Sequence, residues 1–232
     1  IVGVIDLIEN KEIVNIGHHG DNPYFGDYNL VQDVAATGEL VYKLIEKLPE
    51  VELTTDIATS LATALITDTG SFRYSNTSSE THRIMSELLE YDIDTARICK
   101  EVFDTYTYQS LALRGKALEA LQQDDSGKVA WIEISQSLLK SVKATWEDTD
   151  GLVNYPRGLA GVEVAILFKE VEQQKIRVSL RSNYYFPVDK VAHKFGGGGH
   201  ARAAGCTIDN SLEEAKSLVT AEVKRELSRC SK

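Results

Sequence analysis

Cysteine is scarce in this sequence. Its 232 residues include Cys99, Cys206 and Cys230, which lie far apart and form no CxxC pair. An odd number of widely spaced cysteines argues against a disulfide framework and against a zinc–thiolate site. Reduced thiols fit the cytoplasm, and this is the location that we predict.

Positive charge and long hydrophobic runs are also in short supply. Lysine and arginine number 25 against 35 acidic residues, which gives a net charge of −10 and a pI of about 5.0. This balance argues against a protein that coats long duplexes, but a small anionic ligand needs only a few cations and backbone amides. No segment is long enough to span a bilayer and no signal-peptide pattern opens the chain, so we predict no membrane association.

The first half of the chain has the pattern of an α/β domain. The segments "IVGVID" (1–6) and "KEIVNI" (11–16) are almost continuously apolar, which predicts strands of a mostly parallel sheet covered on both faces. Three helical patterns follow, and the third is predicted to open on a capping box at 77–80. Strands that alternate with helices predict an α/β fold for residues 1–104.

The second half of the chain has a different pattern. Residues 105–125 favour helix and are predicted to link two domains, with the polar "DDSGK" (124–128) as the clearest break. Three strands are predicted beyond it, at 128–134, 162–170 and 175–182. A capping box at 211–214 then opens a long last helix. Strands followed by a helix predict a smaller α+β domain over residues 126–232.

Two adjacent histidines, His18 and His19, come directly after the second predicted strand. Ligands of open α/β sheets lie outside the carboxyl ends of the strands, and Asp6 ends the preceding strand. The glycine of "DTG" (68–70) permits a tight turn that could aim Asp68 at the same place. One imidazole with two carboxylates would suit Mn²⁺ or Mg²⁺ better than Zn²⁺, and such an ion activates water at neutral pH. The same residues could instead belong to a surface loop and to helix or turn caps.

The segment "FGGGGHARAAG" (195–205) contains four successive glycines. Such a run can be a flexible linker, but here an aromatic residue and several small residues bracket it. Glycines let backbone amides approach an anion closely, which favours a phosphate or nucleotide contact. Arg181, beside Ser182 at the end of a predicted strand, could bind phosphate through its guanidinium or could simply face solvent.

Together these segments resemble the DHH phosphoesterase superfamily, and within it the bacterial oligoribonucleases (nanoRNases) that are also phosphatases of adenosine 3′,5′-bisphosphate. The resemblance rests on "NIGHH" at the family's "DHH" strand end and on "TDTGSFRYSNTS" for its next motif. It also rests on "GLVNYPRGLAGVEVAILF", "SLRS" and "FGGGGHARAAG" for the DHH-associated C-terminal domain. It covers nearly the whole chain.

The resemblance implies a two-metal centre, usually manganese, in the first domain, facing a nucleotide-binding second domain across a cleft. Asp6, His18 and Asp68 would be ligands of one Mn²⁺ or Mg²⁺ ion, and His19 would contact the phosphate or the transition state. The residues implied to hold the phosphate and nucleoside of the substrate are Arg181, Ser182, Gly197, Gly198, Gly199 and His200. The implied partners are short single-stranded RNA or dinucleotides and a nucleoside bisphosphate, and the resemblance allows a homodimer.

The sequence departs from the family pattern at three points. Gly17 replaces the aspartate of "DHH", the family's first motif is absent, and only ten residues separate Asp6 from Gly17. Because the chain opens at Ile1 without an initiator methionine, we expect further residues upstream, and a chain without the first motif should be nearly inert. If the lost carboxylate mainly orients His18, its replacement should cost about 10–100-fold in metal affinity or activity.

Two classes of function follow. The first is a metal-dependent phosphodiesterase or phosphatase, for which cyclic dinucleotides are an alternative substrate. The second is a catalytically degenerate module that binds nucleotides without hydrolysing them, and Gly17 is the feature that favours it. A manganese-dependent inorganic pyrophosphatase also carries "DHH", but the glycine motif argues against it.

Overall fold

The computed structural model describes residues 10–20 and 22–230. The strand predicted at 1–6, and Asp6 with it, therefore lies outside the described residues. The chain divides into two compact units, residues 1–105 and 106–232. Strands and helices are present in both units, which confirms the predicted α/β class.

The first unit contains a small parallel sheet and helices. Strands β1 (Val14–Gly17) and β2 (Tyr28–Val31) are parallel, as predicted for this half of the chain, although β2 was not expected. The helices are α1 (Thr37–Ile45), α2 (Thr55–Asp68), α3 (Ser79–Leu88) and α4 (Thr95–Cys99), with a 3₁₀ turn at Leu89–Tyr91 and a π turn at Lys100–Asp104.

Apolar stripes on α1, α2 and α3 form the core of this unit. Leu65, Ile84 and Leu88 are fully buried, because helical spacing places them on faces that meet. The N-terminus of α3 is capped by Ser78, whose hydroxyl accepts from the Thr81 amide while the Thr81 hydroxyl accepts from the Ser78 amide. The capping box thus spans Ser78 and Thr81, one residue later than predicted.

The second unit is an α+β arrangement around one six-stranded sheet. Its strands are β3 (Gln122–Gln123), β4 (Val129–Ile134), β5 (Val164–Glu172), β6 (Lys175–Ser182), β7 (Gly198–His200) and β8 (Ala203–Ile208). The strand order is β3-β4-β5-β6-β8-β7; β4 and β5 are parallel and the other neighbours are antiparallel. The helices are α5 (Tyr108–Glu119), α6 (Gln136–Val142), α7 (Asn154–Arg157), α8 (Val188–Lys194) and α9 (Leu212–Cys230), with a 3₁₀ turn at Glu147–Thr149.

The two faces of this sheet are covered to different extents. One face packs on α8 and α9 through a continuous apolar cluster that includes Phe168, Leu180 and Val219. On the other face, α5, α6 and α7 pack over β4 and β5, where Ile132 and Leu167 are buried. Over β6, β8 and β7 that second face is open and forms a cavity.

Residues 105–125 pack mainly with the second unit. The division of contacts falls at 105/106, so α5 and β3 belong to this unit. The segment "DDSGK" (124–128) forms the turn between β3 and β4, closed by a hydrogen bond from the Gly127 amide to the Asp124 carbonyl. Across the described ranges, no helix combines the length and the apolar character needed to cross a bilayer.

Candidate functional site

His18 and Asp68 lie side by side in the first unit. His18 follows β1 directly, and Asp68 is the last residue of α2. The Nε2 atom of His18 is 3.7 Å from Oδ2 of Asp68. On its other edge, Nδ1 of His18 is 2.9 Å from the hydroxyl of Thr37, the first residue of α1. Three segments therefore fix the imidazole so that Nε2 faces the carboxylate.

The other residues predicted for this centre are placed less closely. The ring of His19 is exposed, and its centroid is 4.5 Å from that of His18 at an interplanar angle of 52°. Asp6 lies outside the described residues. Within the part of the chain that the structure describes, no group of three or more His, Cys, Asp or Glu side chains could hold a metal ion. His18 and Asp68 supply two donors of types that Mn²⁺ and Mg²⁺ accept, and a complete site needs further ligands.

A left-handed turn follows Asp68. Gly70, Ser71 and Phe72 have φ angles of 57°, 59° and 62°. A residue with a Cβ pays roughly 1–2 kcal/mol for this conformation. The turn is held by hydrogen bonds from the Ser71 amide to the Ile66 carbonyl (2.7 Å) and from the Phe72 amide to the Thr69 hydroxyl (3.0 Å). The end of α2 that carries Asp68 is thus fixed by a strained turn.

Asn76 connects this turn to the segment before α1. Its Nδ2 donates to the carbonyls of Asp68 and Ala35, each at 3.1 Å. The backbone of Asp68 is therefore tied to the start of α1, whose first residue contacts His18.

Replacement of Ser71 by glycine should relieve part of the strain. We expect Ser71→Gly to raise the free energy of unfolding by about 0.5–1 kcal/mol, because glycine adopts a positive φ without steric cost. Urea denaturation measures the change. Ser75→Gly is the matched control and should lower stability, since Ser75 is not among the residues with positive φ. A loss of stability in both variants would show that the backbone conformation of Ser71 is not strained.

Gly17 is the buried last residue of β1. A Cβ atom built on it would lie 2.9 Å from Nδ2 of Asn22. That amide is paired with the Asn15 side chain, which donates to Oδ1 of Asn22 at 2.8 Å. A side chain at position 17 would therefore displace the amide of Asn22, which is the flexible end of a side chain. An aspartate there would meet an N–H donor.

The cavity of the second unit encloses about 550 Å³ over the open half of the sheet. Arg177, Ser179 and Arg181 line it from β6. They alternate with Ile176, Val178 and Leu180, which are fully buried in the core on the opposite face. The period of two along a strand explains this division, which gives the cavity two cationic side chains and a hydroxyl.

Glycine and other small residues form the floor of this cavity. Gly205 of β8 pairs with Ser179 on one side and with Gly198 on the other. A Cβ atom on Gly197 would lie 2.1 Å from the Gly205 carbonyl oxygen and 2.6 Å from Cβ of Cys206. Only glycine fits at position 197, which is one of the residues that line the cavity.

Two backbone amides of the glycine run are hydrogen-bonded within the fold. The Gly196 amide donates to the His193 carbonyl at 3.1 Å, and the Gly197 amide donates to the Ala192 carbonyl at 2.9 Å. Both bonds terminate α8, as is common at helix ends. Gly199, with φ of 137°, approaches the Ala203 carbonyl within a hairpin. Gly197 and Gly199 therefore permit close packing of the backbone at this edge of the sheet.

Two of the other predicted substrate residues lie away from the cavity lining. Ser182 is buried, and its hydroxyl donates to Oε1 of Glu163 and accepts from Nη1 of Arg202, both at 3.2 Å. It faces away from Arg181 because neighbouring strand residues point to opposite faces. His200, exposed at the end of β7, is likewise not among the residues that line the cavity.

The segment that supplies most of the cavity lining is rich in positively charged residues. Residues 175–205 contain six lysines and arginines and a single acid, Asp189, in a chain whose net charge is −10. Lys169 pairs across from Arg177, and burial together with that arginine lowers the pKa of the lysine. Arg177 and Ser179 were not predicted from the sequence, although the alternation of "KIRVSLRS" places both on the face of Arg181.

Cys206 contributes to the cavity wall without being a nucleophile. Its side chain is buried in the core, and burial raises the pKa of its thiol to about 11. The thiol therefore stays protonated until the pH approaches that value, and the thiolate is the reactive form.

At pH 7.5 we expect iodoacetamide to alkylate Cys206 much more slowly in the folded chain than in urea, as mapped by mass spectrometry. Equal rates in the two states would contradict this burial.

Nearly the whole chain is similar in sequence to known proteins. Residues 127–228 match the DHHA1 domain. The chain is 34% identical over 220 residues to the bifunctional oligoribonuclease and PAP phosphatase NrnA of Thermus thermophilus, covering 94% of this chain and 65% of that protein. It is 32% identical over 193 residues to a probable bifunctional oligoribonuclease and PAP phosphatase NrnA of Streptococcus mutans, covering 83% and 61%. The chain thus spans less than two thirds of the length of these curated relatives.

A solved structure gives a match of similar extent. An exopolyphosphatase-related protein of Bacteroides fragilis superposes with a TM-score of 0.90 at 27% sequence identity, covering 96% of this chain and 66% of that one. The alignments extend beyond the DHHA1 segment into the first unit, where "GHH" and "DTG" lie. These matches support the resemblance to the DHH phosphoesterases, and residues 127–228 of the second unit match the DHHA1 domain.

Proposed function

We propose that this protein hydrolyses short oligoribonucleotides, dinucleotides in particular, and adenosine 3′,5′-bisphosphate. The observation that carries the proposal is the cavity of the second unit, in which Arg177 and Arg181 flank a floor of glycines. Guanidinium groups bind phosphate oxygens through paired hydrogen bonds, and a floor without side chains admits a nucleotide. Two relatives named oligoribonuclease and PAP phosphatase support this substrate class.

The first unit would supply the hydrolytic groups. His18 and Asp68 would hold a divalent cation, which we propose to be Mn²⁺, with Asp6 as a further ligand. When bound, such an ion polarises phosphoryl oxygens and makes water a better nucleophile. The Thr37 hydroxyl at Nδ1 orients the imidazole so that its Nε2 faces the site. His19, exposed beside His18, would donate a hydrogen bond to the phosphate.

The second unit would bind and orient the nucleotide. Arg177 and Arg181 are four residues apart on β6, so their Cα atoms are about 13 Å apart. Each arginine would therefore contact a different part of the ligand, as expected for a molecule with two phosphates or for a dinucleotide. The reduced thiols of Cys99 and Cys206 are consistent with the cytoplasm, where we propose that the enzyme acts.

The activity test measures 5′-mononucleotide release from a dinucleotide with Mn²⁺. It uses this chain and a form extended to the length of the relatives, with linear and cyclic dinucleotides compared side by side. We expect turnover of the linear substrate by the extended form. The absence of turnover by that form, even with aspartate at position 17, would overturn the proposal.

Restoring the motif aspartate should increase activity. We expect Gly17→Asp to raise Mn²⁺-dependent hydrolysis by the extended form about 10–100-fold, the usual contribution of a residue that orients a metal ligand. Gly17→Asn is the matched control, because it displaces the Asn22 amide equally but adds no charge. Equal activity of the two variants would show that the carboxylate is not what matters at this position.

A module that binds nucleotides without hydrolysing them is the second candidate function. Gly17 favours it, because the aspartate of the motif is absent at this position. Calorimetry with adenosine 3′,5′-bisphosphate, with and without Mn²⁺, separates the two functions. Affinity that does not depend on Mn²⁺, combined with no turnover by the extended form, supports the binding module.

A further inference from the structure

The loop after β6 displays two tyrosines to solvent. Tyr184 is 77% exposed and Tyr185 is 46% exposed. The loop spans residues 183–187, and its next side chain, Phe186, is buried in the core. Large aromatic side chains that stay exposed on an ordered loop are candidates for contact with a ligand.

A buried carboxylate fixes the backbone of this loop. Glu163, only 3% exposed, lies just before β5. Its Oε1 accepts from the amides of Tyr184 (3.2 Å), Tyr185 (2.9 Å) and Phe186 (2.8 Å). Three successive amides on one carboxylate oxygen hold the two tyrosines in one backbone conformation.

Two further side chains lock the same loop. Nδ2 of Asn183 donates to the carbonyls of Arg157 and Val162, each at 2.8 Å. Nη1 of Arg202 donates to the Phe186 carbonyl at 3.1 Å. The tyrosines are thus displayed by a preordered segment, so that little conformational entropy is lost when a ligand binds to them.

The loop lies beside the cavity of the second unit. Arg181, which lines the cavity, is separated from the loop only by Ser182 and pairs with Ala203 of β8. The Val188 amide, just after the loop, donates to the Ala201 carbonyl in the turn between β7 and β8 at 3.0 Å. Exposed aromatics next to cationic side chains are the recurring composition of sites that bind single-stranded nucleic acid, because bases stack on the rings.

We propose that Tyr184, assisted by Tyr185, stacks on a base of the oligonucleotide whose phosphate lies in the cavity. The inference rests on the proposed function, since it requires a nucleotide in that cavity. It adds a contact to the base, which arginines and glycines do not provide. Stacking is tolerant of sequence, because every base has a flat face, so the contact would favour nucleotides over inorganic phosphate without selecting one base. Glu163 acts as a positioning residue for the platform.

The test measures affinity in the presence of a metal chelator, so that binding is separated from turnover. A dinucleotide and the corresponding abasic dinucleotide are titrated into the full chain by calorimetry. We expect Tyr184→Ala to weaken binding of the dinucleotide about 5–100-fold and to leave binding of the abasic ligand unchanged. Tyr184→Phe should bind both ligands like the wild type, because it keeps the ring.

Tyr108→Ala is the matched control. Tyr108 is 83% exposed on α5 of the same unit, and its replacement should change neither affinity. Equal affinity of the wild type for the two ligands, or equal behaviour of the Tyr184→Ala and Tyr108→Ala variants, would overturn the stacking contact and leave the nucleotide cavity intact. If the wild type bound neither ligand, the nucleotide cavity and the stacking contact would both be wrong. Failure of the proposed hydrolysis is a separate result, namely dinucleotide binding without turnover by the extended form.

Discussion

Gly197→Ala should lower the free energy of unfolding by about 3 kcal/mol or more and abolish nucleotide binding. The added Cβ would lie 2.1 Å from the Gly205 carbonyl oxygen and within 3 Å of the Cys206 backbone and Cβ. Backbone atoms paired in a sheet cannot move aside without breaking the ladder between β7 and β8. Denaturant titration measures the stability, and calorimetry with adenosine 3′,5′-bisphosphate measures the binding.

Gly198→Ala is the matched control for this substitution. Its Cβ would have His193 Nε2 as its nearest neighbour at 3.9 Å, which is an ordinary contact, and Gly198 has no positive φ. We expect this variant to be close to the wild type in stability, with a smaller loss of binding because the methyl group enters the cavity. Similar stabilities of the two variants would show that the close approach at position 197 is not required.

Asp68→Asn should reduce Mn²⁺-dependent hydrolysis by the extended form about 100-fold or more. The substitution keeps the shape of the side chain 3.7 Å from His18 but removes the charge that would bind a divalent cation. Binding of adenosine 3′,5′-bisphosphate in the presence of chelator should not change, because the cavity that would hold it belongs to the second unit. Initial rates across a Mn²⁺ titration, together with calorimetry, measure the two effects.

Asp56→Asn controls for a general effect of lost charge on the same helix. Asp56 lies in the first turn of α2, at the opposite end from Asp68. We expect its replacement to leave the rate unchanged. If Asp68→Asn kept more than half of the wild-type rate at saturating Mn²⁺, Asp68 would not be part of the hydrolytic centre.

Some elements could be predicted from the sequence because a local pattern decides them. The strand predicted at 175–182 matches β6, since strict alternation of apolar and polar residues specifies both the strand and its buried face. The last helix was expected from a capping box at 211–214, and Ser211 and Glu214 do make that reciprocal pair of hydrogen bonds. In contrast, β2 was missed because its four residues, Tyr28–Val31, have no buried position to create a pattern.

The site was partly predictable for the same reason. The pairing of His18 with Asp68 followed from a strand end and a turn, both of which have sequence signals. The alternation in β6 also predicts that Ser182 faces away from Arg181 and that Arg177 shares the face of Arg181. Neither consequence was drawn from the sequence. The role of Glu163 had no such signal, because its partners lie about twenty residues away and only the folded sheet brings them together.

In the function proposed here, the open face of the second unit binds a nucleotide through its phosphate. Calorimetric titration of adenosine 3′,5′-bisphosphate with chelator into the wild type, Arg181→Ala and Arg229→Ala tests it most directly. Arg229 is an exposed arginine of α9 that pairs with Glu226, so it controls for net charge. We expect Arg181→Ala to weaken binding about 10–100-fold and Arg229→Ala to leave it unchanged. Equal affinity of all three proteins, or no binding by the wild type, would contradict it.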